Sequence, residues 1–306
     1  IAYSWGLKNL KKADNVLITE MEHHSNIIPW QLITKKTNSS LNYIPLSNNG
    51  TLNTESMNEQ LLSSTKIISI SHQSNVFGTI NPIKNIIDKA KNMDIITLID
   101  GAQAVPHLKV NLAELDSDFY VFSGHKMLGP TGVGVLIGRN ELLEEMEPFL
   151  GGGEMINKVN MHESTWNEIP WKFEAGTPKV AQVIGLGAAI KYLMNIGLEN
   201  IHNHEQGLLQ YALDILEQNE NIILYGNPPE RGAVIPFNLK NIHAHDLAKF
   251  LDLDGICIRA GHHCAQPIMD YLNVSSTARI SMNIYNDEND IDILAAGIKK
   301  TISTLN

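Results

Sequence analysis

Four short apolar runs in the first 125 residues alternate with helical stretches, and this alternation constrains the fold more than any other feature. The runs have the length and the β-branched or aromatic composition of buried strands, and they are NVLIT, KIISIS, IITLID and DFYVFS. Helices are predicted from about Ser25, Thr54 and Asn85, with a further strand at LNYIPL. Strands that alternate with helices form right-handed crossovers and a mostly parallel sheet covered on both faces. The sequence therefore predicts an α/β domain.

The pattern changes after Val180, where two long helical segments begin. They are followed by one helix, HDLAKFLD, and by short strands near AVIPFNL, GICIR and ARISMNIY. We expect a large domain over residues 1–195 and a smaller α+β domain over residues 196–306. The chain starts at IAYSWGLKNL, without Met and with the pattern of a helix end that no helix start precedes, so we expect an upstream segment to be missing.

The charge balance argues against two classes of partner. The 306 residues carry a net charge of -10, whereas non-specific nucleic-acid binders and proteins held on anionic lipid favour basic surfaces. The sequence contains neither a bilayer-spanning apolar stretch nor a signal-peptide pattern. Cys257 and Cys264 form no CxxC pair or disulfide framework, which favours a reducing compartment. We expect a cytoplasmic protein that binds small molecules and other proteins.

Polar side chains follow the ends of the four predicted strands. They are His23 after NVLIT, Asn75 after KIISIS, Asp100 and Gln103 at the end of IITLID, and Ser123, His125 and Lys126 at the end of DFYVFS. Ligands on open parallel sheets bind beyond the carboxyl ends of the strands. These side chains are therefore expected at one edge of the sheet.

Each of these residues also has an ordinary structural interpretation. Lys126 would point into water from a loop, His23 would be a surface histidine, and Asp100 would cap a helix that begins at Gly101. The combination instead suits pyridoxal phosphate, which needs a lysine for its Schiff base, an acid beside its pyridine nitrogen and donors for its phosphate. Partial desolvation lowers the pKa of a lysine and makes its amine a nucleophile. Lys126 is thus the predicted cofactor-binding lysine.

A second group of polar residues lies in the stretch RAGHHCAQP, from Arg259 to Pro267. Its glycine, histidines and proline indicate a loop in which the Cys264 thiol is exposed and its thiolate is favoured by nearby cations. A metal site at His262, His263 and Cys264 is disfavoured, because adjacent ligands rarely close a tetrahedral site. Cys257, within GICI, is predicted to be buried as a small hydrophobe. Arg279 is either a surface charge or a fork for a substrate carboxylate.

Seven stretches in this order resemble the type II, SufS-like cysteine desulfurases, a class V aminotransferase group of fold type I pyridoxal-phosphate enzymes. They are MEHHSN, SNVFGT, DGAQAVPH, DFYVFSGHKMLGPTGVG, GGGEMI, KFEAGTP and RAGHHCAQP. The resemblance implies a homodimer that uses pyridoxal 5'-phosphate to convert L-cysteine to L-alanine. The sulfur would remain as an enzyme persulfide for an acceptor protein of the SufE or SufU kind and for iron–sulfur cluster assembly.

The resemblance also implies residue roles. The cofactor would be held by Lys126 as a Schiff base, Asp100 at the pyridinium nitrogen, Gln103 at the phenolic oxygen, His23 stacked on the ring, Ser123 and His125 at the phosphate, and Thr177 from the neighbouring subunit. Asn75 and Arg279 would orient the substrate carboxylate, with Arg259 as a further substrate-binding residue. Cys264 would attack the substrate sulfur.

In the family, further residues precede this start and include a Gly-Thr-Thr turn that cradles the phosphate. We therefore expect a fragment of a longer protein. Two alternatives stay open. One is another enzyme of this fold, an aminotransferase or a lyase acting on L-selenocysteine, which would need Cys264 less. The other is a truncated, inactive chain that serves as a dimer or scaffold partner.

Overall fold

The computed structural model describes residues 1–305, and a six-stranded sheet forms the centre of its larger part. Its strands are β1 Asn15–Thr19, β2 Ser40–Ile44, β3 Thr65–Ser71, β4 Ile96–Asp100, β5 Phe119–Ser123 and β6 Gly134–Gly138. They lie in the order β2-β1-β3-β4-β5-β6. The first five are parallel, and β6 runs antiparallel to β5. The prediction of a mostly parallel sheet is confirmed.

Six further strands complete the β-structure of the described residues. They are the hairpin strands β7 Ile156–Val159 and β8 Ser164–Trp166, followed by β9 Ile222–Leu224, β10 Val234–Leu239, β11 Arg259–Gly261 and β12 Thr277–Ser281. The last four form an antiparallel sheet in the order β11-β12-β10-β9. A smaller antiparallel sheet thus follows the large parallel one along the chain.

The helices cover both sheets. They are α1 Leu7–Asn9, α2 Ile28–Thr37, α3 Thr54–Gln60, α4 Ile83–Lys91, α5 Leu112–Leu115, α6 Asn140–Glu145, α7 Val180–Ile196, α8 Leu198–Glu217, α9 Ala244–Asp252, α10 Gln266–Tyr271 and α11 Glu288–Leu305. No single helix in residues 1–305 has the length and apolar character to cross a membrane. Helices α7 and α8 reach that length and apolar character only when the two are counted as one segment, and they are bent by 74° at their junction.

Side chains of β1 alternate between two hydrophobic clusters, one on each face of the sheet. Leu17 packs on the face that contains Ile70 and Phe77, whereas Val16 and Ile18 pack on the face that contains Trp30. Successive residues of a strand point to opposite faces, so a strand covered on both sides must be apolar throughout. This requirement explains the unbroken apolar run NVLIT and its burial at all five positions.

The larger part of the fold also receives side chains from near the C-terminus. Ile268 and Met269 of α10 lie in the same cluster as Phe77, while a separate cluster joins α8, α9, α11 and β10. Helix α10 begins two residues after Cys264. The packing of α10 therefore ties the cysteine-bearing loop to the parallel sheet.

The prediction that Cys257 is buried is wrong, because its side chain is exposed. Strand β11 begins only at Arg259, so GICI is irregular chain rather than strand. Ile256 and Ile258 both pack against the cluster of the smaller sheet. In an extended segment the residue between two inward-facing side chains points outward, which leaves the Cys257 thiol on the surface.

We expect Gly101→Ala to destabilise the fold, because a Cβ at this position would lie 2.1 Å from the Tyr120 ring and 2.2 Å from its hydroxyl oxygen. Overpacking of this kind costs about 1–3 kcal/mol. Gly207 on α8 is the matched control, since a Cβ there meets nothing within 4 Å. Gly207→Ala should raise stability by up to about 1 kcal/mol. Urea unfolding measures both changes, and a Gly101→Ala variant as stable as Gly207→Ala would contradict the expectation.

Candidate active site

Charged side chains from the ends of β4 and β5, from the smaller sheet and from the cysteine loop lie close together. Lys126 lies half-buried in the short helical turn Gly124–Met127 that follows β5. Burial lowers the pKa of Lys126 most, and among its charged neighbours Asp100 and Cys264 raise it while Arg279 and Arg259 lower it. These effects require that all four neighbours lie within electrostatic range of the ammonium group. The expected convergence of Lys126, Asp100 and the cysteine loop is therefore present.

Asp100 ends β4 and begins no helix, so the alternative interpretation as a helix cap does not hold. Its Oδ1 accepts a hydrogen bond of 2.9 Å from the backbone N–H of Ala102, within a turn. No other group in residues 1–305 bonds its side chain. One carboxylate oxygen is thus free to bind a ligand.

A buried histidine and tyrosine support the backbone at Asp100. The backbone N–H of His72 donates to the Asp100 carbonyl oxygen at 2.8 Å, and the His72 Nδ1 lies 2.9 Å from the Tyr120 hydroxyl. Burial lowers the pKa of His72 to about 4 and raises the pKa of Tyr120. At neutral pH the hydrogen bond therefore joins an uncharged imidazole to a neutral phenol.

The His23 ring has a defined tautomer. Its Nδ1 accepts a hydrogen bond of 3.1 Å from the backbone N–H of Ser25 and lies 2.8 Å from the Ser25 hydroxyl. A backbone N–H can only donate, so Nδ1 is unprotonated and the neutral ring carries its proton on Nε2. Burial, followed by the charge on Lys126, lowers the pKa of His23 and favours this neutral form. The half-buried ring thus offers a flat face and one N–H.

The loop that carries Cys264 is held by hydrogen bonds from three other segments. The backbone N–H of His24 donates to the Cys264 carbonyl oxygen at 2.7 Å, and the His24 Nε2 accepts from the backbone N–H of Gln266 at 2.9 Å. The Asn75 amide donates to the His263 carbonyl oxygen at 2.6 Å, and the His263 Nε2 lies 2.9 Å from the Thr277 hydroxyl. The thiol is therefore presented from a fixed backbone.

Both His263 and Cys264 have left-handed backbone conformations, with φ of 53° and 56°. This region is strained for residues with a Cβ, so the surrounding hydrogen bonds must maintain it. The Arg259 guanidinium donates to the Cys264 Sγ at 3.5 Å. A cation in that position stabilises a thiolate.

Arg279 lies opposite Arg259 in the antiparallel pair of β11 and β12. Its Nη1 donates to the Asn75 carbonyl oxygen at 2.6 Å, while its buried Nε has no partner within residues 1–305. Burial, and then the charge of Arg259, lower the pKa of Arg279 to about 10. Two neighbouring guanidinium groups with an unused donor match the planar, bidentate geometry of a carboxylate.

The remaining predicted residues are less constrained. Gln103 and Ser123 are half-buried, and His125 and Thr177 are exposed. None of these four side chains, nor Lys126, hydrogen-bonds another group in the described part of the chain. An amine, a carboxylate with a free oxygen, a flat imidazole and a set of unused hydroxyl, imidazole and amide groups fit pyridoxal phosphate by chemical type.

Sequence reasoning missed four residues that organise this site. Glu22, His24 and His72 lie in the stretches that follow the ends of β1 and β3, and Tyr120 lies within β5. Asn75 was assigned to substrate, whereas its amide already donates to the cysteine loop. The sequence shows that a residue lies near a strand end. It does not show which distant group that residue hydrogen-bonds.

Comparisons with known proteins give a consistent match. The family profile described as Aminotransferase class-V matches residues 1–294. The "Probable cysteine desulfurase" of Halalkalibacterium halodurans is 52% identical over 301 residues, which cover 98% of this chain and 74% of that protein. The "Cysteine desulfurase" of Haloferax volcanii is 46% identical, over 97% of this chain and 70% of that protein. The crystal structure of the cysteine desulfurase CsdA (S-sulfonic acid) from Escherichia coli superposes with a TM-score of 0.95 at 33% identity, over 99% of this chain and 75% of that one.

We expect His24→Ala to loosen the cysteine loop, because it removes the imidazole that accepts from the Gln266 backbone N–H. Loss of one such hydrogen bond costs about 1 kcal/mol, which raises the open population about fivefold. The rate at which Ellman's reagent modifies Cys264, measured in a Cys257→Ser background, should rise accordingly. His162→Ala, at an exposed hairpin position, is the control. Equal rates in the two variants would show that His24 does not hold the loop.

Proposed function

The chain belongs to the class V aminotransferase family, and from that membership we propose that it is a pyridoxal-phosphate-dependent cysteine desulfurase. It converts L-cysteine to L-alanine and leaves the sulfur as a persulfide on Cys264. The observation that carries this proposal is the presence of a cysteine thiol in the same charged cluster as Lys126. An aminotransferase needs the lysine and the acid, but it has no use for that thiol.

Six residues of this chain would hold the cofactor. Lys126 would bind it covalently, Asp100 would bond the pyridine nitrogen, Gln103 the phenolic oxygen and Ser123 with His125 the phosphate, and His23 would contact the ring. When bound, pyridoxal phosphate withdraws electrons from the Cα of an amino acid. The lowered pKa of Lys126 increases its free-amine fraction, which is the form that attacks an aldehyde. The free oxygen of Asp100 keeps negative charge available for the ring nitrogen.

The two guanidinium groups bind the substrate carboxylate. Arg279 supplies its buried, unpaired Nε, and Arg259 lies opposite it across β11 and β12. Asn75 acts mainly by accepting a hydrogen bond from Arg279 at its carbonyl oxygen, which fixes the guanidinium. The carboxylate binding site is thus built from a strand pair of the smaller sheet and a strand end of the larger one.

Cys264 accepts the sulfur. Its thiolate, stabilised by Arg259, attacks the substrate sulfur, so an S–S bond forms while the bond between sulfur and Cβ breaks. The electron pair of the broken bond stays on Cβ and takes up a proton, which yields the methyl group of alanine.

A second copy of this chain is the proposed occupant of an exposed apolar face on α7. Val180, Val183 and Ile184 are 56%, 54% and 68% exposed and share one face of the helix, and Met194 continues this face near the end of α7. Exposed apolar clusters of this kind mark interaction sites. Thr177 lies exposed just before α7, where it would reach the partner's cofactor phosphate.

Further proposals concern the cellular setting. The sulfur acceptor is a protein of the SufE or SufU kind, the destination of the sulfur is iron–sulfur cluster assembly and the compartment is the cytoplasm.

The chain divides into two domains. Residues 1–195 form the cofactor-binding domain, and residues 196–306 form the domain that carries the cysteine loop. Support for this division comes from the separate hydrophobic cluster that α8, α9, α11 and β10 build in the second part.

Alanine release from L-cysteine tests the activity directly. We expect the wild-type chain with pyridoxal phosphate to release alanine, and Cys264→Ala to lose this activity while it keeps the visible absorption of the bound cofactor. Lys126→Ala should lose both, because it removes the amine that binds the cofactor covalently. Alanine release by Cys264→Ala at the wild-type rate would remove the thiol from the mechanism and favour another enzyme of this fold.

Ile184→Glu should convert the dimer to a monomer, because it places a charge in the centre of the apolar face. Light scattering is expected to give twice the 33.9 kDa chain mass for the wild type and the single mass for the variant. Ile293→Glu, at a 47% exposed isoleucine on α11, is the control and should stay dimeric. A monomeric wild type would refute the assignment of α7 to a second copy.

A further inference from the structure

Glu22 is a buried acid that the mechanism above does not use. Its side chain is 0% exposed, and its hydrogen bonds to Thr19 and Ser71 place it between the ends of β1 and β3. We propose that Glu22 is a positioning residue, whose carboxylate holds the His23 ring and the end of β3 in the arrangement that the reaction needs. This inference rests on the proposed function.

The Glu22 carboxylate is surrounded by donors. Its Oε1 accepts from the Thr19 hydroxyl at 2.6 Å, and its Oε2 accepts from the Asn26 amide at 2.7 Å and from the Ser71 hydroxyl at 2.6 Å. The backbone N–H of Ser71 lies 3.1 Å from both oxygens. No Lys, Arg or His in residues 1–305 forms an ion pair with it. A buried carboxylate without a counter-ion requires such a set of donors.

The Asn26 amide cannot turn to release Glu22. Its Oδ1 already accepts hydrogen bonds from the Trp30 Nε1 at 3.2 Å and from the Ser69 hydroxyl at 2.5 Å. Because the oxygen is occupied on that side, the amide N–H must point at Glu22. The carboxylate is thus one member of a fully paired buried network, and such networks specify one local arrangement.

The fixed position of Glu22 also orients the neighbouring His23 side chain. The His23 backbone is extended, with φ of -63° and ψ of 147°. Adjacent side chains of an extended segment point in opposite directions, so an inward Glu22 projects His23 toward the site. His23 then forms its Nδ1 hydrogen bonds with Ser25 only if residues 22 to 26 keep this path.

The same carboxylate fixes a second functional segment. Ser71 ends β3, and the next residue, His72, supports Asp100 through its backbone N–H. The loop then continues to Asn75, which binds both the cysteine loop and Arg279. Removal of the Glu22 charge therefore disturbs the two strand ends that flank the cluster.

Burial works against this arrangement. It raises the pKa of Glu22 to about 7, while the donors on Ser71, Thr19 and Asn26 each lower it. An apolar side chain would fill this buried space without the desolvation cost of an acid that has no counter-ion. The acid at this position is therefore explained by the positions it enforces rather than by its contribution to packing.

The test compares Glu22→Gln with Glu20→Gln, which makes the same substitution two residues away. Glu20 is half-buried and accepts one hydrogen bond, from the Leu46 backbone N–H, which an amide oxygen also accepts. In Glu22→Gln the new NH₂ group faces the Ser71 backbone N–H, which cannot reverse, whichever of the two oxygens it replaces. We expect the kcat of Glu22→Gln for alanine release to fall about 10- to 100-fold, with a much smaller change in KM. A loss of this size is typical of a slightly misplaced reacting group.

A second readout needs no cofactor and no turnover. Nuclear magnetic resonance of chain labelled with ¹⁵N-histidine reports which ring nitrogen of His23 is protonated, with His23→Gln to assign its signals. We expect an Nε2–H tautomer in the wild type and in Glu20→Gln, and averaged tautomers in Glu22→Gln. This comparison remains valid even if the wild type releases no alanine, which separates failure of the proposed function from failure of this inference.

Three results would overturn the proposal. They are unchanged His23 signals in Glu22→Gln, wild-type kcat in that variant, or an equal loss in Glu20→Gln. Lower thermal stability with unchanged His23 signals would assign Glu22 a structural role only. If Glu22→Gln does not fold, Glu22→Asp replaces it, since it keeps the charge but withdraws it from the donors by one methylene group.

Discussion

The site depends on the electrostatic balance between one carboxylate and three cations. Asp100, Arg259 and Arg279 all act on the charge of Lys126, and the mutual repulsion of the cations adds to burial in lowering the pKa of Lys126 and of Arg279. The cluster is therefore positive within a chain whose net charge is -10. A local positive field of this kind attracts small anions, which agrees with a substrate carboxylate and a cofactor phosphate as its ligands.

The cysteine loop connects the two sheets, because it forms hydrogen bonds with residues of both. Thr277 of β12 holds His263 from one side, and His24 and Asn75 hold the loop from the ends of β1 and β3. Packing of α10 against the parallel sheet adds an apolar anchor next to the same loop. Parallel sheets supply a common edge for the cofactor residues, and the antiparallel sheet contributes the arginine pair.

Much of this architecture was predictable, because it follows from patterns that are local in sequence. The strands NVLIT, KIISIS, IITLID and DFYVFS were recognised from unbroken apolar character, and their order gave the edge at which the polar residues meet. Contacts between distant residues were not predictable in this way. The apolar neighbours of Cys257 predict a buried side chain, yet Ile256 and Ile258 take the inward positions and leave the thiol exposed. The amide of Asn75 and the carboxylate of Glu22 take their roles from partners 188 and 49 residues away.

The fixed backbone around Cys264 has a consequence for delivery of the sulfur. Left-handed φ angles and hydrogen bonds on both sides leave the terminal sulfur free to move mainly by rotation about the cysteine side-chain bonds. Such rotations sweep only a few ångströms, so the persulfide cannot swing out to meet a distant recipient. The recipient must instead insert its own nucleophile up to the loop, on a flexible or protruding segment narrow enough to approach beside Arg259.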